Sequence, residues 1–304
     1  MGRSFVREQR YQCAGEYMVV RLCRVTDEEH RGRRRKKERE STPRQKSKNA
    51  EAARQHRLRV ALANFSRAGY YVTLTYEDPF LPPDSAAARR DLRNWMRRVI
   101  AAARRELGLA RGAVRYMGIT AAGSKTGRLH HHVMVQCDGL SMRQAAAFRT
   151  LLEDKWSSGR GEQAQPMGWA NADRLQMQHG LEDLISYFCS ARRHPKRWWY
   201  QSRNLEMPVA LRPNDSRWSQ KELHTACGEC AQDAYYWGQK YPGWDYVGSS
   251  VIKRDPLAEG WAERDLAERG CYVILHRRCG MLRNPAHEFC AAGKTRAPER
   301  GGGQ

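Results

Sequence analysis

The chain has 304 residues, of which 40% are hydrophobic and 29% charged, so it can bury a substantial core outside its charged tracts. Its formal net charge of +21 favours a polyanionic partner, because each phosphate that a cation neutralises releases bound counterions. No stretch approaches the ~18 uninterrupted apolar residues of a membrane helix, and the N-terminus lacks the apolar core of a signal peptide. We therefore expect a cytoplasmic protein without a membrane partner.

The first quarter of the chain is dominated by charge. We expect residues 1–48 to form a basic, partly disordered arm, because residues 31–48 have almost no apolar content and a dense block of positive charge. Such a run is usually solvated and can lie along a phosphate backbone. From Asn49 the sequence becomes rich in Ala, Leu and Arg at helical spacing, which predicts a basic helix leading into a folded domain over residues 49–208.

An alternation of strands and helices follows. The sequence YYVTLTY at 70–76 is β-branched or aromatic and precedes three prolines, as in a short buried strand. Asp84 offers an N-cap to an amphipathic helix whose outer face carries one arginine after another. Two antiparallel strands are predicted at 114–120 and 129–137.

The remaining predicted elements complete an α+β fold. A helix is expected at 141–157, a fourth strand within 169–178, and a helix at 181–193 that ends before a proline. The order β-α-β-β-α-β-α indicates an antiparallel sheet of about five strands with helices packed on one side of it.

Three adjacent histidines open the second of the paired strands, in GRLHHHVMVQ at 127–136. Because alternate side chains of a strand share a face, His130 and His132 should point together while His131 points the opposite way. Two imidazoles on one face are half of a divalent metal site. A polar strand end whose histidines contact solvent or phosphate is the alternative. Met134 stands where a histidine-triad hydrolase would need another histidine, which excludes that class.

Together these segments resemble the HUH endonucleases, and within them the phage- and plasmid-type rolling-circle replication initiators. The resemblance covers roughly residues 45–208 and depends on the order and spacing of ANF, TLTY, GRLHHH, ISYFCSA and SRNLEMP. It implies a catalytic domain of HUH type, ferredoxin-like or RRM-like in fold, that nicks and rejoins single-stranded or hairpin DNA at a replication origin. Host helicase and polymerase, in a bacterial cytoplasm, are the further partners that it implies.

The resemblance also implies the chemistry of the site. His130 and His132 would hold Mg²⁺ or Mn²⁺, which orients and polarises the scissile phosphate. Tyr187 would attack the phosphorus and form a 5′-phosphotyrosine, which conserves the phosphodiester energy so that the strand can be rejoined. A phenol, with a pKa of ~10, also leaves readily when the reaction reverses. Core packing is the alternative role for Tyr187, and Tyr200 is the spare candidate nucleophile.

The sequence departs from the family at two positions. Many relatives carry an acidic third metal ligand where approximately Thr120 stands, and a lysine where Ser190 stands. These departures favour one alternative, a non-catalytic nucleic-acid-binding protein that has lost turnover. A related HUH transposase or relaxase, using the same chemistry, is the other alternative.

Two basic clusters are candidate DNA contacts. One lies on the helix after Asp84, and the other follows Tyr187 among aromatic residues on which bases could stack, although core packing is the alternative for those aromatics. The residues expected to bind DNA are Arg89, Arg93 and Arg97 in the first cluster and Arg192, Arg193, Lys196 and Arg197 in the second.

The C-terminal third carries weaker signals. Residues 209–290 are expected to form an accessory segment and residues 291–304 a disordered tail. Nine cysteines without an export signal argue against a disulfide framework. Cys227 and Cys230 have metal-ligand spacing, and a zinc site would need further ligands from the downstream residues Cys279, His287 and Cys290.

Overall fold

The computed structural model describes most of the chain between the N-terminal hairpin and the last strand. The described residues are 4–26, 43–123, 125–159, 161–175, 181, 184–185, 199–252 and 270–278. Within these ranges the chain forms two five-stranded antiparallel sheets, a two-stranded sheet and five helices. None of the helices in the same ranges combines the length and the apolar character needed to cross a bilayer.

Twelve strands and five helices make up these elements. The strands are β1 (Ser4–Cys13), β2 (Tyr17–Thr26), β3 (Tyr70–Leu74), β4 (Val114–Ala122), β5 (Leu129–Cys137), β6 (Ser157–Ser158), β7 (Gln165–Pro166), β8 (Ala170–Arg174), β9 (Trp199–Gln201), β10 (Val209–Ala210), β11 (Trp244–Ile252) and β12 (Gly270–Arg277). The helices are α1 (Pro43–Asn64), α2 (Ser85–Leu107), α3 (Met142–Asp154), α4 (Gln220–Cys227) and α5 (Ala234–Lys240).

The histidines lie in a sheet of strand order β8-β3-β5-β4-β9, which we call the histidine sheet. All its neighbouring strands run antiparallel, and β5 lies at its centre between β3 and β4. This confirms the predicted α+β class with a five-stranded antiparallel sheet, and the expected fourth strand is β8 at one edge.

Local signals in the sequence set the ends of the two helices that pack on one face of this sheet. The side chain of Asp84 accepts a hydrogen bond from the Ala87 N–H and caps α2, and Gly108 ends that helix in the left-handed conformation. Ser141 and Gln144 form a capping box at the start of α3. Both helices bury their apolar sides, including Trp95 and Phe148, in one core with β3 and β5.

The other face of the histidine sheet is covered as well, which the sequence analysis did not anticipate. Leu58 of α1 belongs to an apolar cluster with Ile119 and Met134 of the histidine sheet and with Val19 and Ile274 of the second five-stranded sheet. Helix α1 therefore lies between the two sheets. The expectation that helices pack on one side only was wrong, because the second sheet supplies the apolar surface that α1 needs on its far side.

The second sheet has the order β10-β1-β2-β12-β11, and we call it the hairpin sheet. Here the structure differs from the predicted basic arm, since residues 4–26 form the β1–β2 hairpin in full register. Five of the six residues of MVVRLC in β2 are apolar, and they provide the buried positions that such a hairpin needs. Residues 27–42 and 291–304, also assigned to the arm and the tail, lie outside the described residues.

A buried carboxylate joins this hairpin to the C-terminal third. Oε1 of Glu8 accepts hydrogen bonds from the Arg217 guanidinium at 3.0 Å and the Tyr241 hydroxyl at 2.5 Å, and Trp218 Nε1 lies at 3.4 Å. Helices α4 and α5 pack over the outer face of the hairpin sheet around the buried Trp237. Residues 209–252 are therefore integrated with the N-terminal strands.

Candidate metal and nucleic-acid site

Strand β5 places the three histidines on two faces of the histidine sheet. The rings of His130 and His132 lie together, with their centroids 4.9 Å apart and their planes at 84°. His131 points the other way, into the core beneath α2 and α3, and is 0% exposed. We call the side that carries His130 and His132 the histidine face, and the side covered by α2 and α3 the helix face.

His131 is a core residue whose two ring nitrogens both have partners. Its Nε2 lies 2.8 Å from the Tyr76 hydroxyl and its Nδ1 lies 3.0 Å from the Thr120 hydroxyl. Burial lowers its pKa to about 3, so the ring is neutral. The Tyr76 hydroxyl also lies 3.4 Å from Asp91. A proton on Nε2 then satisfies the whole chain, because Tyr76 accepts it and donates to Asp91 while Thr120 donates to Nδ1.

Thr120 therefore does not lie where the third metal ligand was expected. Its side chain shares the helix face with His131. On the histidine face, the residues of β4 opposite His130 and His132 are Ala121 and Ile119, neither of which has a ligand atom in its side chain. No group of three His, Cys, Asp or Glu side chains suited to a metal occurs among the described residues.

Two side chains and one backbone carbonyl contact the two rings on the histidine face and restrain their orientation. The Thr73 hydroxyl lies 3.2 Å from Nδ1 of His132. The Tyr71 ring stacks on the His132 ring, with their centroids 5.4 Å apart and their planes at 14°. Nδ1 of His130 lies 3.3 Å from the Arg128 carbonyl oxygen. Because a carbonyl only accepts, Nδ1 of His130 carries a proton, and in the neutral ring the lone pair is on Nε2. Burial lowers the pKa of His132 to about 4, and the positive charge that His130 carries when it is protonated acts in the same direction.

These contacts fit a two-histidine half site for a metal ion. Metal–nitrogen bonds of about 2.1 Å place the centroids of two adjacent imidazole ligands roughly 5 Å apart, close to the spacing of His130 and His132. A neutral imidazole with its Nδ1 bound to a protein oxygen is the usual form of a histidine ligand. The remaining coordination positions would need oxygen atoms from water, DNA or other residues.

The expected nucleophile, Tyr187, lies outside the described residues. Before it, the described residues Leu181, Leu184 and Ile185 are helical. Ile185 is fully buried in the cluster that includes Ile119 and Met134, on the histidine face. Arg192, Arg193, Lys196 and Arg197, the second basic cluster, also lie outside the described residues.

Tyr200, the spare candidate nucleophile, is unsuited to attack. It lies on β9, and its hydroxyl donates a hydrogen bond to the Ile119 carbonyl oxygen at 3.0 Å. Burial raises its pKa well above the ordinary value, because a phenolate would be stranded in an apolar environment. Its ring packs against the core of the helix face. The structure therefore assigns Tyr200 to packing.

The first basic cluster lies away from the histidine pair. Arg93 and Arg97 are exposed on the outer side of α2, whereas Arg89 is half-buried. Because α2 covers the helix face, the histidine sheet separates these arginines from His130 and His132.

The zinc expectation rests on residues that are only partly described. Cys227 is buried at the end of α4 in the same cluster as Cys271, and Cys230 is half-exposed three residues later. Cys279, His287 and Cys290 lie outside the described residues, so the zinc site stays a prediction.

Sequence reasoning missed several residues around the histidine pair. Tyr71 and Thr73 contact His132, and the period of two in YYVTLTY could have placed them on one face with Thr75. Trp169 was also missed. It lies opposite Thr75 at the edge of the sheet, and its side chain is 59% exposed.

Trp169 is held firmly although its ring is exposed. Its carbonyl oxygen accepts from the Thr75 N–H at 2.8 Å, and its own N–H donates to the Thr75 hydroxyl at 3.2 Å. The preceding Gly168 has a φ of +154°, and a Cβ there would meet the Thr75 carbonyl oxygen at 2.5 Å. Trp169 directly precedes β8, which begins at Ala170, and therefore lies at the edge of the histidine sheet.

Comparison with known proteins identifies one related family. Residues 69–190 match the family model described as replication-associated protein ORF2/G2P. The matched region runs from β3 past β8 and includes the histidine strand and Tyr187, but it is less than half of the chain. No curated protein matches the chain, and no solved structure matches it either. The similarity of residues 69–190 to replication-associated proteins supports a replication initiator.

Proposed function

We propose that the protein initiates rolling-circle replication by nicking and rejoining single-stranded origin DNA, with Tyr187 as nucleophile and a divalent metal ion at His130 and His132. One observation carries the proposal. The two imidazoles lie on one face of a sheet with their ring centroids 4.9 Å apart, within the region that matches the replication-associated family.

On the histidine face, a metal ion would bind the phosphodiester. An ion bound by His130 and His132 would act as a Lewis acid on the scissile phosphate. Thr73, Tyr71 and the Arg128 carbonyl fix the orientation of the two rings, which limits the reorganisation that binding requires. The buried His131 anchors the strand between them.

The strand transfer itself would be a displacement at phosphorus. The phenolic oxygen of Tyr187 forms a bond to phosphorus while the bond to the 3′ oxygen breaks, and the phenol's proton ends on the released 3′ hydroxyl. The product is a 5′-phosphotyrosine and a primer end, and the reverse reaction reseals the strand. Ile185, two residues before Tyr187, is buried on the histidine face, so the chain reaches this side of the sheet shortly before the proposed nucleophile.

A covalent-adduct assay tests the proposal. The full-length protein is incubated with Mn²⁺ and a library of single-stranded oligonucleotides, and adducts are detected by gel shift after denaturation. We expect adducts that disappear in Tyr187→Phe and in His132→Ala. They should persist in Tyr200→Phe, because the Tyr200 hydroxyl is committed to a backbone carbonyl. Adducts that survive in Tyr187→Phe would show that the nucleophile is another residue.

A non-catalytic DNA-binding function is the second candidate. The observation in its favour is that Ala121 and Ile119, neither of which has a ligand atom in its side chain, face the histidine pair from β4. Under this alternative a native gel shows oligonucleotide binding but the denatured samples show no adduct, whichever of Mn²⁺ and Mg²⁺ is supplied.

A further inference from the structure

The outer side of α2 carries a narrow row of exposed arginines. Arg90, Arg93, Arg97 and Arg104 are all exposed and are spaced by three, four and seven residues. At 3.6 residues per turn these positions fall within a sector of roughly 60°. The buried side chains Leu92 and Trp95 lie on the opposite side of the helix. We call the four arginines the α2 stripe.

No acidic residue neutralises the α2 stripe from within its own helix. The two acidic residues of α2 are Asp91 and Glu106, both of which point away from the stripe by helical periodicity. Asp91 is near the buried Tyr76 hydroxyl, and Glu106 pairs with Arg105. The neighbouring helix α3 is balanced, with two arginines against Glu153 and Asp154. Of these two neighbouring helices, α2 carries the excess of positive charge.

The stripe and the histidine pair face opposite directions. Helix α2 packs on the helix face, and the stripe lies on the side of α2 that is turned away from the sheet. A helix and a sheet in contact are separated by about 10 Å, and the arginine side chains extend further outward. A nucleotide held at His130 and His132 cannot touch the stripe at the same time.

The chemistry of the stripe fits a phosphate backbone and not bases. Proteins that grip single strands combine cations with aromatic side chains on which bases stack, and α2 exposes no aromatic residue. From Arg90 to Arg104 the row is about 21 Å long. That length spans roughly six base pairs of duplex at ~3.4 Å each.

We propose that the α2 stripe binds the backbone of duplex DNA without reading its sequence, while the histidine face handles the single strand. This inference rests on the proposed function, since it assigns to the initiator a second surface for the duplex that flanks the nick site. The stripe holds the protein on the duplex without occupying the cleavage site.

Salt-dependent binding to a blunt 30-base-pair duplex tests the inference. Arg90, Arg93, Arg97 and Arg104 are replaced by Gln together in the full-length chain, and affinity is measured across a range of KCl concentrations. Each lost phosphate contact lowers the slope of log K against log salt by about 0.9, so we expect a slope smaller by roughly 3 to 4. Affinity at about 0.1 M salt should fall at least tenfold.

A matched control distinguishes loss of the α2 stripe from loss of net positive charge. Arg143, Arg203, Arg212 and Lys221 are exposed elsewhere, and their joint replacement by Gln removes the same charge. We expect this control to keep most of the duplex slope. An equal loss of slope in both quadruple variants would overturn the inference.

Two further measurements distinguish failure of the duplex assignment from failure of the nickase proposal. Binding of the stripe variant to a single strand should keep the wild-type slope, and a single-strand loss as large as the duplex loss would overturn the duplex assignment. Formation of the Tyr187 adduct on a short single strand should also persist in the stripe variant. If the wild type forms no adduct but the duplex slopes differ as expected, the nickase proposal fails while the duplex surface stands.

Discussion

His131 occupies a core position of β5 although its side chain is ionisable. An apolar residue would fill the same space, but here the ring links Thr120 on β4 to Tyr76 after β3. Such a buried polar chain stabilises only when every member is paired. His131 thus fixes the strand on which its two neighbours lie, without reaching their face.

Removing this ring should be costly. We expect His131→Ala to lower the free energy of unfolding by about 3 kcal/mol, since it leaves a cavity and two hydroxyls without their partner. His130→Ala, at a half-exposed ring, should cost about 0.5 kcal/mol. Urea denaturation in metal-free buffer measures both. Similar losses in the two variants would contradict the assigned core role.

Trp169 has an exposed ring next to β8, at the edge of the histidine sheet. If single-stranded DNA lies there, Trp169→Ala should weaken binding of a 12-nucleotide oligonucleotide by ~1–3 kcal/mol, the usual value of one stacked base. Trp169→Phe should recover part of the loss. Tyr235→Ala is the matched control, because Tyr235 is an aromatic residue that is 76% exposed on α5. Fluorescence anisotropy would contradict the expectation if both alanine variants behaved alike.

At the scale of elements, periodicity predicted which side chains of one strand share a face, but not the register between neighbouring strands. The alternation of β5 separated His131 from His130 and His132 correctly. The sequence could not show on which face Thr120 lies, because the register between β4 and β5 depends on the turn that joins them and a slip of one residue changes the face. Pairing Thr120 with His131 places its hydroxyl on the helix face.

The β1–β2 hairpin shows a second limit. Its strands interleave charged with apolar residues, as in SFVREQRYQC, and the dense basic run that follows extended the predicted arm over them. The partners that complete their sheet lie in β12, far along the chain. Sequence patterns indicate that a segment is a strand, but they do not name a distant partner.

The α2 helix was the most predictable element. Its cap, its apolar side and its arginines were all legible in the sequence. The sequence did not show which side of the sheet this helix covers, because that depends on tertiary contacts between distant parts of the chain. That placement is what separates the α2 stripe from the histidine pair.

At the scale of the whole molecule, Glu8 connects the N-terminal hairpin to the segment around Arg217 and Tyr241. We expect Glu8→Ala to lower the free energy of unfolding by about 3–5 kcal/mol, because it leaves a guanidinium without its buried partner. Asp215→Ala breaks the more exposed pair with Arg7 and should cost about 0.5 kcal/mol. Chemical denaturation distinguishes the two, and equal losses would show that Glu8 is no anchor.

The pairing of β2 with β12 has a consequence for biosynthesis. The edge of β2 that receives β12 cannot be covered until Gly270–Arg277 has left the ribosome. At roughly 5–20 residues per second, the intervening chain takes on the order of 10–50 s to make. For that interval the nascent protein carries an open, apolar strand edge, so its yield in the cell should depend on chaperones that shield such edges.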